Sequence, residues 1–262
     1  MDPGLTVEIA TVLTRIVLSG LLYGHQHERF VVSPGASTEP ANNIFRLVRQ
    51  GISIVCTGGF PTMLHLDHVS VFDSIIERKA WGSDESVSGH GSTVAATAIL
   101  RQRLADTFAQ LQIRSLVDAP CGDMNWMRHL DYRLDQHIGV DLVPRIIKKL
   151  REEKFPPAYR FQIGNIVTNV LPPGDALFCR DCLVHLPFSA IHEALRLWKM
   201  ADFKFIFMTT FPSRTSNSDC MVGDWRPLNM EIAPFNWQKA LLILNEDYIP
   251  PYRDKSIGLW TF

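Results

Sequence analysis

The chain lacks a charge bias. Its 262 residues hold 26 lysines and arginines against 27 aspartates and glutamates, a formal net charge of −1. No block of basic residues appears, so composition gives no electrostatic support to a nucleic-acid partner. Cysteine is scarce. Cys56, Cys121, Cys179, Cys182 and Cys220 make an odd, scattered set that does not read as a disulfide framework and points to a reducing cytoplasm. There is no internal repeat and no low-complexity tract. The apolar stretch 5–22 is interrupted by Glu8 and Arg15, each costing about 2.5–3.5 kcal/mol at a bilayer centre. No Lys or Arg precedes it, which argues against a signal peptide. Leu5, Ile9, Val12, Leu13, Ile16 and Val17 fall on one helical face. The expectation is an amphipathic helix, not a membrane span, that packs on the body or on a partner subunit, as in a homodimer.

What is present is an ordinary globular composition, 46% hydrophobic and 20% charged, long enough for a substantial core. Residues 24–42 carry turn formers and read as a linker. Helices are expected over 44–55 and 72–80, and a polar loop over 81–93. From Val94 the texture changes. A helix to about residue 112 precedes apolar strands at 114–119, 136–141, 159–163, 175–179 and 203–209. Helices at 123–130, 143–152 and 188–200 separate them. Two last strands, near 241–245 and 256–262, fit an antiparallel hairpin. Alternation of this kind predicts an α/β protein with a parallel sheet covered on both faces. The division expected is 1–71, an N-terminal helical extension and linker, and 72–262, the main domain.

The informative stretch is Ser115-Leu116-Val117-Asp118-Ala119-Pro120-Cys121-Gly122-Asp123, an apolar strand running into a tight turn. In doubly wound sheets ligands bind at the carboxyl ends of the strands. Gly122 allows close backbone approach, and Asp118 can organise the turn or meet a cationic group. His137-Ile138-Gly139-Val140-Asp141 is a second strand ending in an acid, which can accept both ribose hydroxyls at about 1.5–3 kcal/mol for a charge-assisted bond. Asn165 can meet an adenine edge, and Ile166 can pack on the ring. The dinucleotide fingerprint needs three glycines, whereas this turn has Gly122 alone. Asp123 would oppose a pyrophosphate but tolerates a cationic sulfonium. S-adenosylmethionine is therefore favoured over NAD.

With these residues in view, the chain resembles class I S-adenosylmethionine-dependent methyltransferases, and more closely a bacterial-type subgroup with a D-A-P-C-G-D-x-N-W-M turn. Matching residues include 81–86 (WGSDES), 88–92 (SGHGS), 118–127, 138–141, 179–186 (CRDCLVHL), 209–211, 223–229 (GDWRPLN) and 254–260 (DKSIGLW). The resemblance runs from about Phe72 to Phe262. It implies a doubly wound, seven-stranded, mostly parallel sheet, the Rossmann-like methyltransferase fold, with an antiparallel last strand. It also implies adenosylmethionine as methyl donor. Pro120 and Met124 stand where the class usually has glycines, and Asn165 where it usually has Asp. The candidate cofactor-binding residues are Asp118, Ala119, Cys121, Gly122, Asp123, Trp126, Asp141, Leu142, Asn165, Ile166 and Arg180.

Methyl transfer mainly requires orientation, which can supply about 7–11 kcal/mol. A base is needed only where the acceptor must lose a proton. The loop after the fourth strand of the main domain offers His185, with a reference pKa of about 6.5, and Asp181 to orient it or act itself. The bland alternative has Arg180 and Asp181 brace the loop while His185 caps the next helix. Cys179 and Cys182 read as packing rather than zinc or redox. The histidines at 25, 27, 65 and 68 read as surface or capping residues, so no metal is expected. Residues 81–93 are expected to cover the cofactor or merely connect. Trp225 and Arg226 are expected either to grip a polar, ring-shaped acceptor or to clamp their loop. The acceptor expected is a small molecule or glycan. The competing readings are a catalytically silent cofactor-binding module and an NAD-dependent oxidoreductase.

Overall fold

The structure, a computed structural model, describes residues 45–49, 52–56 and 68–261. The chain divides into two units, 1–65 and 66–262. The amphipathic helix expected over 5–22, the linker of 24–42 and the histidines at 25, 27 and 65 lie outside the described residues.

Of the first unit, two strands are described, β1 (Phe45–Arg49) and β2 (Ile52–Cys56), paired antiparallel from Phe45↔Cys56 to Arg49↔Ile52. This corrects the helix expected over 44–55, and with it the helical character expected of the extension there. The physical reason is local. Val48, Ile52, Ile54 and Val55 are β-branched and stiff at χ1, which favours a pleated surface. Only Gln50 and Gly51 stand between the paired ends, the length of a two-residue hairpin connection.

The second unit begins with α1 (His68–Glu77), four residues ahead of the helix expected at 72. After α2 (Ala98–Leu111) the strands alternate with helices: β3 (Ser115–Asp118), β4 (Gln136–Asp141), α3 (Pro144–Glu152), β5 (Tyr159–Ile163), β6 (Ala176–Cys179), α4 (Phe188–Met200), β7 (Phe205–Thr210), β8 (Leu242–Asn245) and β9 (Ser256–Trp260). They form one seven-stranded sheet in the order β5-β4-β3-β6-β7-β9-β8. β9 runs antiparallel to both β7 and β8, and the other pairings are parallel. The chain is a doubly wound, mostly parallel sheet with flanking helices, as expected. β6 is a continuous apolar run, and Leu116 and Val117 of β3 are fully buried, because helices cover both faces of a parallel sheet. Phe108, Phe178, Phe207, Trp198 and Trp260 are the large side chains sealed in the core.

In the second unit one expected helix is absent. Residues 123–130 form a turn and a three-residue 3-10 segment, Met127–His129. Met124 takes a left-handed backbone, φ 57°, which an α-helix cannot absorb. The Asp123 carboxylate meanwhile accepts a bond from Asn125 N, a side-chain turn that competes with helix.

The order of strands places a crevice. From β3 the chain winds first to β4 and β5 on one side, then crosses to β6 and β7 on the other. Ligands of open α/β sheets sit at the carboxyl ends of the strands at such a reversal.

Candidate functional site

The loops after β3, β4, β5 and β6 converge there on a cavity of about 420 Å³, within the usual range for small-molecule sites. The turn after β3 is pinned to both neighbouring strands, Ala119 N donating to Phe178 O and Cys121 N to Val140 O, each at 2.9 Å. Gly122 then adopts φ 54°, and a Cβ there would fall 2.5 Å from Ser88 Oγ. Glycine meets both demands, a left-handed backbone and a close approach.

Asp141 ends β4 on the cavity wall. Its Oδ2 accepts Gly122 N at 3.1 Å and its Oδ1 accepts Val143 N at 2.9 Å. Burial raises its pKa from 3.8 to about 6, against the pull of those two bonds. With Leu142 N–H also acting on the carboxylate, lone-pair capacity remains for a further donor. Asp118 is buried beside it, its pKa also raised by burial, with His137 opposing. His137 Nε2 lies 3.6 Å from Asp118 Oδ2, beyond a good hydrogen bond, and the His137 ring stacks on Tyr159 at 4.6 Å. After β5, Asn165 Oδ1 accepts Val167 N at 2.9 Å, which leaves its Nδ2 as the donor toward the cavity it lines beside Ile166.

Arg180 follows β6 and is fully engaged. Its Nε and Nη2 hold Glu246 at 3.1 and 2.6 Å, and Nη2 also donates to Gly91 O at 2.8 Å. Its guanidinium lies 5.3 Å from the Trp126 ring centre. Asp181 Oδ2 takes Lys255 Nζ at 2.5 Å and lies 3.3 Å from Arg180 Nη1, while Lys255 also reaches Glu246 at 3.3 Å. These two cations and two carboxylates form one closed group. Burial works against the charge on Asp181, but Lys255 and Arg180 outweigh it and hold its pKa at about 2. Asp181 is therefore held ionised at neutral pH. Arg180 and Asp181 brace the loop, as the bland alternative has it.

His185 does not cap α4. Its Nδ1 lies 2.8 Å from Asp224 O, so the ring donates there and Nε2 carries the lone pair of the neutral form. Burial pushes the imidazole below its ordinary 6.5, with the Asp224 carbonyl opposing. The ring packs against Trp81 at 5.2 Å and Phe72 at 6.4 Å.

Of the residues singled out in the sequence, Asp118, Cys121, Gly122, Trp126, Asp141, Leu142, Asn165, Ile166, Arg180, Asp181 and His185 line this cavity. Ala119 and Asp123 do not. Ala119 is sealed in the core. The Asp123 carboxylate accepts Ser86 Oγ at 3.0 Å and Val87 N at 2.9 Å, so it ties loop 81–93 to the first turn. That loop contributes Trp81 and residues 88–92 to the wall. Arg226 clamps its loop onto the segment after β6, bonding Leu183 O at 2.6 Å and Leu186 O there and Ser218 O at 3.1 Å within the loop. Trp225 instead lines the cavity. Cys121 and Cys179 are buried thiols whose pKa burial pushes well above 9, suited to packing and not to nucleophilic work. Among the described residues no cluster of His, Cys, Asp or Glu is arranged to hold a metal, and no helix is long and apolar enough to cross a membrane.

Sequence reasoning did not single out Lys255, Glu246, Tyr248, Tyr252, Phe72 and Phe211 as site residues. Five of these line the cavity, and Glu246 braces it from behind. The arrival of Phe72 from α1 and of Tyr252 from the β8–β9 connection depends on tertiary packing.

No family model and no curated protein matches the sequence. Solved structures do resemble it. Magnesium protoporphyrin IX methyltransferase from Synechocystis PCC 6803 with bound SAM is 15% identical at a TM-score of 0.48, over 76% of this chain and 98% of that one. Human N-acetylserotonin methyltransferase in complex with SAM is 10% identical at 0.46, over 74% and 55%. The methyltransferase domain of bacterial CtHen1 is 14% identical at 0.40, over 44% and 66%, so this chain spans just under two thirds of that domain. At TM-scores under 0.5 these likenesses assign no function to the chain.

Proposed function

We propose that this chain transfers a methyl group from S-adenosylmethionine to a small-molecule or glycan acceptor. The observation that carries the reading is Asp141: a buried carboxylate at the carboxyl end of β4, anchored by two backbone N–H groups, with lone pairs left for a ribose diol. The turn above it suits the same ligand, since Gly122 lies so near Ser88 that a Cβ has no room. Asn165 Nδ2 and Ile166 are the residues to hold the base, and Asp118 suits the cationic methionine end. The turn passes into a 3-10 segment rather than a helix, so no helix N-terminus awaits a pyrophosphate. That counts against the NAD reading.

Bound adenosylmethionine would supply a methyl group already activated by its sulfonium. The chain's own part is to orient the acceptor, exclude water and, for a hydroxyl or amine, take a proton at His185 Nε2. Asp181, held ionised, orients. Calorimetric titration with adenosylmethionine and with S-adenosylhomocysteine tests the reading. Both should bind at one site, and Asp141→Ala should weaken them at least tenfold. Well-folded protein that binds neither would sink it. Binding without turnover in any acceptor screen would favour a silent cofactor-binding module.

A further inference from the structure

The acceptor end of the cavity has a composition of its own. Two aromatic groups wall it, drawn from separate segments: Phe72, Trp81 and His185, and Phe211, Trp225 and Tyr252. The lysine and arginine among the lining residues, Lys255 and Arg180, are both committed to Asp181 and Glu246. Two positive and two negative charges cancel, so this end has no free lysine or arginine for an anionic acceptor. Asp181 Oδ1 is buried with no hydrogen-bond partner among the described residues. A buried acceptor left unmet costs free energy, and a ligand O–H or N–H would meet it.

From this we infer that the acceptor is a small, uncharged aromatic compound bearing a hydroxyl, its ring held against Trp225 and Trp81 and its polar edge directed to His185 and Asp181. The inference rests on the methyltransferase reading and narrows it. Three rivals fit less well. An anionic acceptor meets no uncommitted lysine or arginine and faces Asp181 Oδ1. A quaternary ammonium needs several open ring faces around it. Phe211, Trp225 and Tyr252 instead pack edge to face, at 4.7–6.1 Å and 65–84°, so one ring's edge covers another's face. A glycan would bring many hydroxyls to walls that offer few partners, and each unmet one is costly. In the transfer, the acceptor's oxygen gains the bond to the methyl carbon. The donor's sulfur keeps the electron pair of the bond that breaks, and the hydroxyl proton, donated to Asp181 Oδ1 in the resting complex, turns to His185 Nε2 as the methyl is transferred.

The test is binding, not turnover. The full chain is first titrated with S-adenosylhomocysteine, then, saturated with it, titrated by calorimetry with 2-naphthol, 2-naphthoate and methyl β-glucoside. Naphthol should bind at one site, with naphthoate and the glucoside at least tenfold weaker. Trp225→Ala, at a residue 41% exposed, should weaken naphthol at least tenfold and leave S-adenosylhomocysteine affinity unchanged, the second readout showing that the variant is folded. Naphthoate or glucoside binding as tightly as naphthol would overturn the inference. So would absent naphthol binding, or indifference to Trp225→Ala. Failure in the first titration would strike the methyltransferase reading itself and carry this inference with it.

Discussion

At the scale of single residues, two titrations matter most. Asp141 has a folded pKa of about 6 against roughly 3.9 for a free aspartate. The folded state therefore keeps a proton that the unfolded state has lost. The stability tied to that proton is full below pH 4 and is lost as pH rises through 6. Cofactor binding should run the other way, because the ribose hydroxyls donate to the ionised form. Affinity for S-adenosylhomocysteine should fall about tenfold per pH unit below 6, and Asp141→Asn should flatten that profile. For His185 burial lowers the pKa. The unfolded imidazole takes a proton first, near 6.5, so stability tied to this ring falls as pH drops through that value. Nitrogen-detected NMR should find its ring neutral at pH 7, protonated on Nδ1, and titrating below 6.5. A cationic ring at pH 7 would exclude it as the base.

At the scale of elements, β9 carries a steric test. Gly258 and Trp260 share one face of the strand, and a Cβ at 258 would lie 2.1 Å from the indole of Trp260. Gly258→Ala should force that ring out of its slot at a cost of about 1–3 kcal/mol, read as a lowered denaturant midpoint. Strands such as β6 were legible as short apolar runs, and the edge strand β5 by its alternation of Tyr159, Phe161 and Ile163 with Arg160 and Gln162. β5 and β4 match their expected bounds, and the others shift by one or two residues. The hairpin of β1 and β2 was misread because its apolar residues also match a helical spacing. The telling signal, only Gln50-Gly51 between two short stretches of which the second is β-branched, is local and was present in the sequence. The absent helix after β3 turned on one left-handed residue, Met124, which no spacing announces.

At the scale of the molecule, the closed group of Arg180, Asp181, Glu246 and Lys255 ties together β6, loop 81–93 and the ends of β8 and β9. Glu246 is its innermost member, its side chain fully buried. Glu246→Gln leaves two cations facing one carboxylate. Removing one partner of a buried ion pair costs about 3–5 kcal/mol, so the variant should lose that much in equilibrium denaturation. A loss under 1 kcal/mol would mean the group contributes little to stability.

By itself the sequence determined the alternation of strands and helices, and from it the doubly wound sheet and the crevice at its strand ends. It also determined which acids would stand there, because Asp118 and Asp141 each close an apolar strand and cannot be elsewhere. Periodicity and strand termini are local properties, and local properties survive without coordinates. The tertiary structure decided what those side chains were free to do. Asp181 is paired with Lys255, 74 residues away, and Arg180 was drawn to Glu246, 66 residues away. Asp123 was spent on loop 81–93, and Arg226 on the carbonyls of Leu183 and Leu186, 43 and 40 residues away. Ion pairing and burial depend on which distant residues meet, and chain spacing does not record that.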